Sequence, residues 1–375
     1  MSSIAEVFCD DQKPCHLQML KASAQASKTR IDTRINRIGS MPSCMPYRRA
    51  IISRNITVLV RRTARATHQH CRSFSSVGFV GLGQMGLPMA KNLVKTIPVV
   101  AYDTNPAACD EASKNGISIV DSVGAVGSRN CDVLITMLPG DKAFDQVMTE
   151  WQELFDKKRY IVNTSTVAPS TSKKWAKAYR EKGHAVLDAP VSGGIVGASK
   201  GTLSFMVGCE DKEDLKIVEP YLTSMGQRVI LCGAPGAGSA TKLCNNLALA
   251  AQMVGICEAL SLGEKLGIDP AVLSNVMNTS TAKCWSSEVN NPHEDVAKNM
   301  PHSPPAANNY RGGFSSSLML KDLKLALQAA QEEDIALPLT STTKELYHLV
   351  SKHGLGDCDF GVMLRFLSPR PRELE

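Results

Sequence analysis

The feature that most constrains this 375-residue chain is a break in texture at residue 81. Four apolar-patterned residues, Val77-Gly78-Phe79-Val80, run straight into Gly81-Leu82-Gly83-Gln84-Met85-Gly86, and the helix-forming run Leu87 to Lys95 follows. A strand, a glycine turn and a helix in that order predict a phosphate-binding turn. The first glycine permits the tight bend, the second lets backbone approach a pyrophosphate, and the third lets helix pack on strand. Backbone N–H groups of Gln84, Met85 and Gly86, at the start of the helix, then face the phosphates. The glycines alone fit an ordinary turn equally well, and the second strand decides. Val99-Val100-Ala101-Tyr102 ends at Asp103, about 20 residues past the glycines. A carboxylate there accepts hydrogen bonds from the adenosine ribose and repels a 2′-phosphate. No arginine follows in Thr104-Asn105-Pro106, so the expected cofactor is NAD rather than NADP.

Strand and helix signals alternate from there. Asp132–Met137 ends in Leu138-Pro139-Gly140, Tyr160–Asn163 in Thr164-Ser165-Thr166, and Ala185–Asp188 in a loop from Ala189 to Gly194. Leu203–Gly208 and Gln227–Leu231 read as later strands. With 43% hydrophobic but only 5% aromatic residues, the composition suits helices packed on a parallel sheet. The expected fold is α/β: a Rossmann-type doubly wound sheet over residues 77–238, then a long interdomain helix leading into an all-helical domain over 239–370. Ligands of such sheets bind outside the carboxyl ends of the strands, where these loops lie.

After Gly238 the strand signal stops. Ser239 to Leu266 predicts one long helix, rich in Ala and Leu and closed by Gly267 and Pro270. Lys242 and Asn246 stand four apart on one face of it. Pattern alone leaves two readings of Lys242: a surface lysine near a helix start, or a desolvated lysine able to take a proton from an alcohol and return it. Asn246 could hold that lysine or a substrate oxygen in line. No Ser/His/Asp set or metal-ligand spacing competes with them, and no metal is expected. Asn290 to Asn309, with four prolines, reads as a long polar loop. Phe314 to Ser317 then caps a helix over Leu318–Gln331 that carries Lys321 in its first turns.

The net charge of +6 suggests nucleic acid until it is divided by position. Residues 1–75 hold 13 Lys and Arg against 4 Asp and Glu, so the remainder is mildly acidic and a poor nucleic-acid binder. No acidic residue occurs from Thr33 to Tyr102, and arginines stud a Ser/Thr-rich stretch. Residues 1–76 therefore read as a disordered mitochondrial transit peptide, with Arg72-Ser73-Phe74-Ser75-Ser76 at its cleavage site; a basic tail for anionic surfaces is the alternative. The eight cysteines of the body are scattered and read as core residues of a reducing compartment. No apolar run reaches the ~20 residues of a membrane span, and no membrane partner is expected.

These motifs resemble the β-hydroxyacid dehydrogenase family from Val77 to about Leu367. The most specific are Gly78–Gly86, Asp188-Ala189-Pro190-Val191-Ser192-Gly193-Gly194, Lys242-Leu243-Cys244-Asn245-Asn246 and Lys321-Asp322-Leu323. Cys284-Trp285-Ser286-Ser287, Ala307–Phe314 and Asp359-Phe360 resemble the branch acting on 3-hydroxyisobutyrate. The resemblance implies that Lys242 is the catalytic lysine with Asn246 beside it. It implies further that Ser192, Gly193 and Gly194 grip a substrate carboxylate, and that Leu138, Pro139, Thr166 and Lys321 touch the cofactor. Ala143 stands where some relatives carry an asparagine cofactor contact. The implied activity is NAD-dependent oxidation of 3-hydroxyisobutyrate to methylmalonate semialdehyde in valine catabolism, by a homo-oligomer (dimer or tetramer) in the mitochondrial matrix. The rivals are an NADPH-dependent reductase of glyoxylate or succinic semialdehyde, and a non-catalytic NAD-binding scaffold.

Overall fold

The computed structural model describes residues 76–129 and 131–369. The proposed transit peptide lies outside them, apart from Ser76.

Short strands of β-branched and aliphatic residues alternate with helices in the order the sequence predicts. They are β1 (Val77–Val80), α1 (Gly86–Leu93), β2 (Val99–Tyr102), α2 (Pro106–Lys114), β3 (Ser118–Ile119), α3 (Val123–Ser128), β4 (Val133–Thr136), α4 (Asp141–Trp151), β5 (Tyr160–Asn163), α5 (Pro169–Arg180) and β6 (Ala185–Asp188). The first six strands pair in parallel, in the order β3-β2-β1-β4-β5-β6. Side chains on both faces are covered, so β1, β4, β5 and β6 are buried at every position, as a parallel sheet between helices requires. The order reverses between β1 and β4, which opens a crevice at their carboxyl ends.

The sheet continues through the two later strands expected, with a short additional one, β7, and an antiparallel turn of direction that the sequence reading missed. β7 (Val191–Ser192), α6 (Gly194–Lys200), β8 (Leu203–Gly208), α7 (Lys212–Met225) and β9 (Gly226–Gly233) follow. β8 runs antiparallel to both β6 and β7 and parallel to β9. The Ala189–Gly194 segment is therefore part strand, not wholly loop. Two residues are too few to show an alternating pattern.

From Ala237 onward no strand longer than a single bridge occurs among the described residues. α8 (Ala237–Lys265), α9 (Pro270–Thr279), α10 (Trp285–Glu288), α11 (Glu294–Lys298), α12 (Ser316–Glu332), α13 (Pro338–Val350) and α14 (Met363–Leu367) build a second core. It centres on Met253, Cys257, Leu260, Leu323, Tyr347 and Phe360. By length and composition alone α8 could cross a membrane, contrary to the sequence expectation. Its buried residues instead include Lys242 and Asn246 alongside Ala250, Met253 and Cys257, which is the pattern of a helix packed inside a protein.

The segment Asn290–Asn309 also departs from its reading as a polar loop. It holds α11 and a short 3-10 turn over Pro305–Asn308, and Asn290, Asn291, His293, Ala297 and Ala306 are buried. Prolines mark its bends, but the buried side chains follow no period that a sequence would reveal.

Candidate active site

At the crevice the glycine turn is built from backbone. Gly81 takes φ +98°, and a Cβ there would collide with the Met137 carbonyl; one on Gly86 would collide with the Gly81 carbonyl. Gly83 has open space where its side chain would stand. Gly81 thus lets the turn pass close to the end of β4, Gly86 closes it on itself, and Gly83 leaves its outer face free, the shape a pyrophosphate needs. Gly83 and Gln84 are exposed and Met85 is half-buried, so the loop presents this edge outward. Asp103 fastens it: its carboxylate accepts the Leu82 N–H at 2.5 Å and the Asn105 N–H at 2.7 Å.

The neighbouring strand ends bring together the other expected cofactor residues. Leu138 donates its N–H to Ser165 Oγ at 2.8 Å, joining the loops after β4 and β5. Lys321, from α12, reaches both loops, donating to the Thr166 carbonyl at 3.1 Å and the Pro139 carbonyl at 3.3 Å. Leu138, Pro139, Thr166 and Lys321, far apart in sequence, form one cluster.

Lys242 stands in the second turn of α8 and is only 8% exposed. Burial holds its ammonium below the usual lysine range; the Asp322 carboxylate acts against that shift and Lys321 adds to it. Among the described residues Nζ has no hydrogen bond or ion pair, and its nearest ring is Phe314, with the centroid at 6.0 Å. Lys242 is therefore no surface lysine. Asn246, one turn on, donates to the buried Asp322 carboxylate at 2.6 Å and accepts from Asn245 at 3.1 Å.

A residue that the sequence reading left without a role sets the start of α8. The Asp188 carboxylate, buried at the end of β6, accepts the Gly236 and Ser239 N–H groups, each at 2.7 Å. A carboxylate on the first-turn donors both satisfies them and favours the helix dipole. Burial pushes its carboxyl up while those hydrogen bonds act against the shift. One residue thereby joins sheet to helix three positions before Lys242. Ser192 closes β7 four residues after Asp188. Gly193 and Gly194 follow at φ +131° and +60°, a path that an L side chain would strain. These three make no hydrogen bond to Lys242 among the described residues, so Asp188 is the link between the two segments. Asp188 and Asp322 carried a signal only as neighbours of Ser192 and Lys321 in short motifs.

Two family models match the chain. Residues 76–233 match the NAD-binding domain of 6-phosphogluconate dehydrogenase, and residues 236–367 match the NAD-binding region of NADP-dependent 3-hydroxyisobutyrate dehydrogenase. The human mitochondrial 3-hydroxyisobutyrate dehydrogenase is 39% identical over 299 residues, covering 79% of this chain and 87% of that protein. The Arabidopsis thaliana protein described as a probable mitochondrial 3-hydroxyisobutyrate dehydrogenase is 38% identical, covering 80% and 89%. Among solved structures, the Mycobacterium tuberculosis 3-hydroxyisobutyrate dehydrogenase with L-serine superposes with a TM-score of 0.74 at 35% identity, covering 78% of this chain and 99% of that one.

Proposed function

Since the chain belongs to the 3-hydroxyisobutyrate dehydrogenase family, and is thus an oxidoreductase of CH–OH groups using a nicotinamide dinucleotide, we propose that it oxidises 3-hydroxyisobutyrate to methylmalonate semialdehyde with NAD. NAD, bound at the glycine turn, supplies the acceptor for the hydride leaving carbon 3. The chain's own part is to hold the acid and take the hydroxyl proton. Ser192 and the backbone of Gly193 and Gly194 grip the carboxylate, Lys242 Nζ accepts the proton, and Asn246, braced by Asp322, keeps substrate and lysine in line. Gly81, Gly83, Gln84, Met85 and Gly86 take the pyrophosphate, Asp103 the ribose hydroxyls, and Leu138, Pro139, Thr166 and Lys321 the rest of the cofactor.

The observation that carries this reading is Lys242, buried with no hydrogen-bonding partner among the described residues. A largely desolvated ammonium with no bonded partner costs stability, and a passive scaffold gains nothing from it. Because burial lowers its pKa, the neutral base is available at a lower pH than an ordinary lysine allows. Oxidation should therefore rise with pH, with its midpoint below the usual lysine value, while the reverse reduction, which needs the ammonium, should fall.

Residues 77–238 would form the NAD domain and 239–370 the helical substrate and dimerisation domain. Self-association is supported by Leu262 on α8, Leu266 just past its end, and Val272 and Val276 on α9, each more than half exposed, apolar surface suited to a second copy. The basic leader and the mitochondrial relatives support a place in the mitochondrial matrix. A substrate panel with both cofactors tests the assignment. Preferred oxidation of 3-hydroxyisobutyrate with NAD is expected; faster NADPH-driven reduction of succinic semialdehyde or glyoxylate would overturn it.

A further inference from the structure

Asp359 is a third buried carboxylate, 2% exposed, with no ion pair among the described residues. Its Oδ1 accepts from Gly361 N at 2.9 Å and Asn290 Nδ2 at 3.1 Å, and its Oδ2 accepts from Phe314 N at 2.9 Å. The same stretch is tied twice more by backbone: Asp359 N donates to the Tyr310 carbonyl and Phe360 N to the Phe314 carbonyl, both at 2.8 Å. Gly313 has φ +71°, and a Cβ on it would collide with the Asp359 carboxylate, so the turn is moulded around that group. The Phe314 ring leaves this turn and comes to 6.0 Å from Lys242 Nζ. The same ring packs T-shaped with Phe360, centroids 6.2 Å apart.

A buried carboxylate with only neutral donors is expensive to keep, and burial pushes the Asp359 carboxyl up to about 6. What the chain gains in return is the fixed path of residues 313–314. We propose that Asp359 is a positioning residue for the Lys242 chemistry: by holding the Phe314 backbone it seats the ring that shields the Lys242 amine from water. The proposal rests on Lys242 being the proton acceptor. The ionisable groups facing Asp359 are Cys257 and Tyr347, both held neutral by burial. Those acting on Lys242 are Asp322 and Lys321.

Asp359→Asn keeps size and the Oδ1 acceptor but turns an N–H₂ toward the Phe314 N–H. In the full-length enzyme we expect turnover to fall about tenfold, with NAD affinity unchanged. The pH midpoint of oxidation should move up toward an ordinary lysine, because water reaches the amine. A plain loss of stability would lower the melting temperature without moving that midpoint. Phe314→Leu removes the ring but leaves Asp359 and its backbone contacts, and should shift the midpoint in the same direction. Unchanged turnover and midpoint in folded Asp359→Asn, beside an inactive Lys242→Ala, would overturn the proposal alone. If Asp359→Asn does not fold, an unchanged midpoint in Phe314→Leu overturns it. Normal turnover in Lys242→Ala would remove both the reading and the proposal.

Discussion

The two halves of the candidate active site are built by different means. Around the cofactor turn the chain works with backbone: glycine geometry at Gly81 and Gly86, strand ends, and N–H groups from neighbouring residues. Around Lys242 it works with the side chains of buried carboxylates: Asp188 on backbone N–H groups of the helix start, Asp322 on the Asn246 amide, Asp359 on the Phe314 N–H. A backbone site fails when a single atom is added, because the colliding group is itself backbone. A side-chain site fails by degrees, as each brace is removed.

That difference orders the expected effects. Gly86→Ala places a Cβ against the Gly81 carbonyl, and neither partner can step aside. Overpacking costs roughly 1–3 kcal/mol or more, so NAD affinity should fall by about a hundredfold, measured by titration of cofactor fluorescence. Native affinity would show that the turn yields and that the contrast is false. Asp322→Ala leaves Asn246 without its acceptor in a buried place; misplaced groups of this kind cost up to about a hundredfold in rate. Turnover should fall by tenfold or more while NAD affinity drops little, a split that steady-state kinetics and cofactor titration resolve together. The smallest change is expected at Lys321→Met. Lys321 is about a third exposed and bonds two carbonyls that water could also satisfy, so an increase of a few-fold to about tenfold in the KM for NAD is expected. A loss as large as that of Gly86→Ala would place Lys321 among the structural pieces of the turn.

The same contrast explains what could be read beforehand. Val77–Val80, Val99–Tyr102, Tyr160–Asn163 and Ala185–Asp188 are strands at the residues expected, because buried parallel strands are short apolar runs closed by turn residues. The glycine turn and Asp103 were legible because their partners lie within about 20 residues of one another. Lys242 was visible only as one of two readings, since a helical pattern does not say which face another element covers. Its braces were hidden altogether: Asn246 and Asp322 are 76 residues apart, and Phe314 and Asp359 are 45 apart. The strand β7 and the packed Asn290–Asn309 segment escaped for a related reason. Their places are set by partners elsewhere in the fold, not by a local period.

The central claim is that Lys242 takes the proton. Turnover of Lys242→Ala on 3-hydroxyisobutyrate, with NAD affinity measured on the same preparation, tests it most directly. Removal of a general base costs about 10²–10⁴-fold. The account predicts a loss of that order with cofactor binding intact, since the glycine turn lies elsewhere in the chain. Turnover near that of the unaltered enzyme would contradict it.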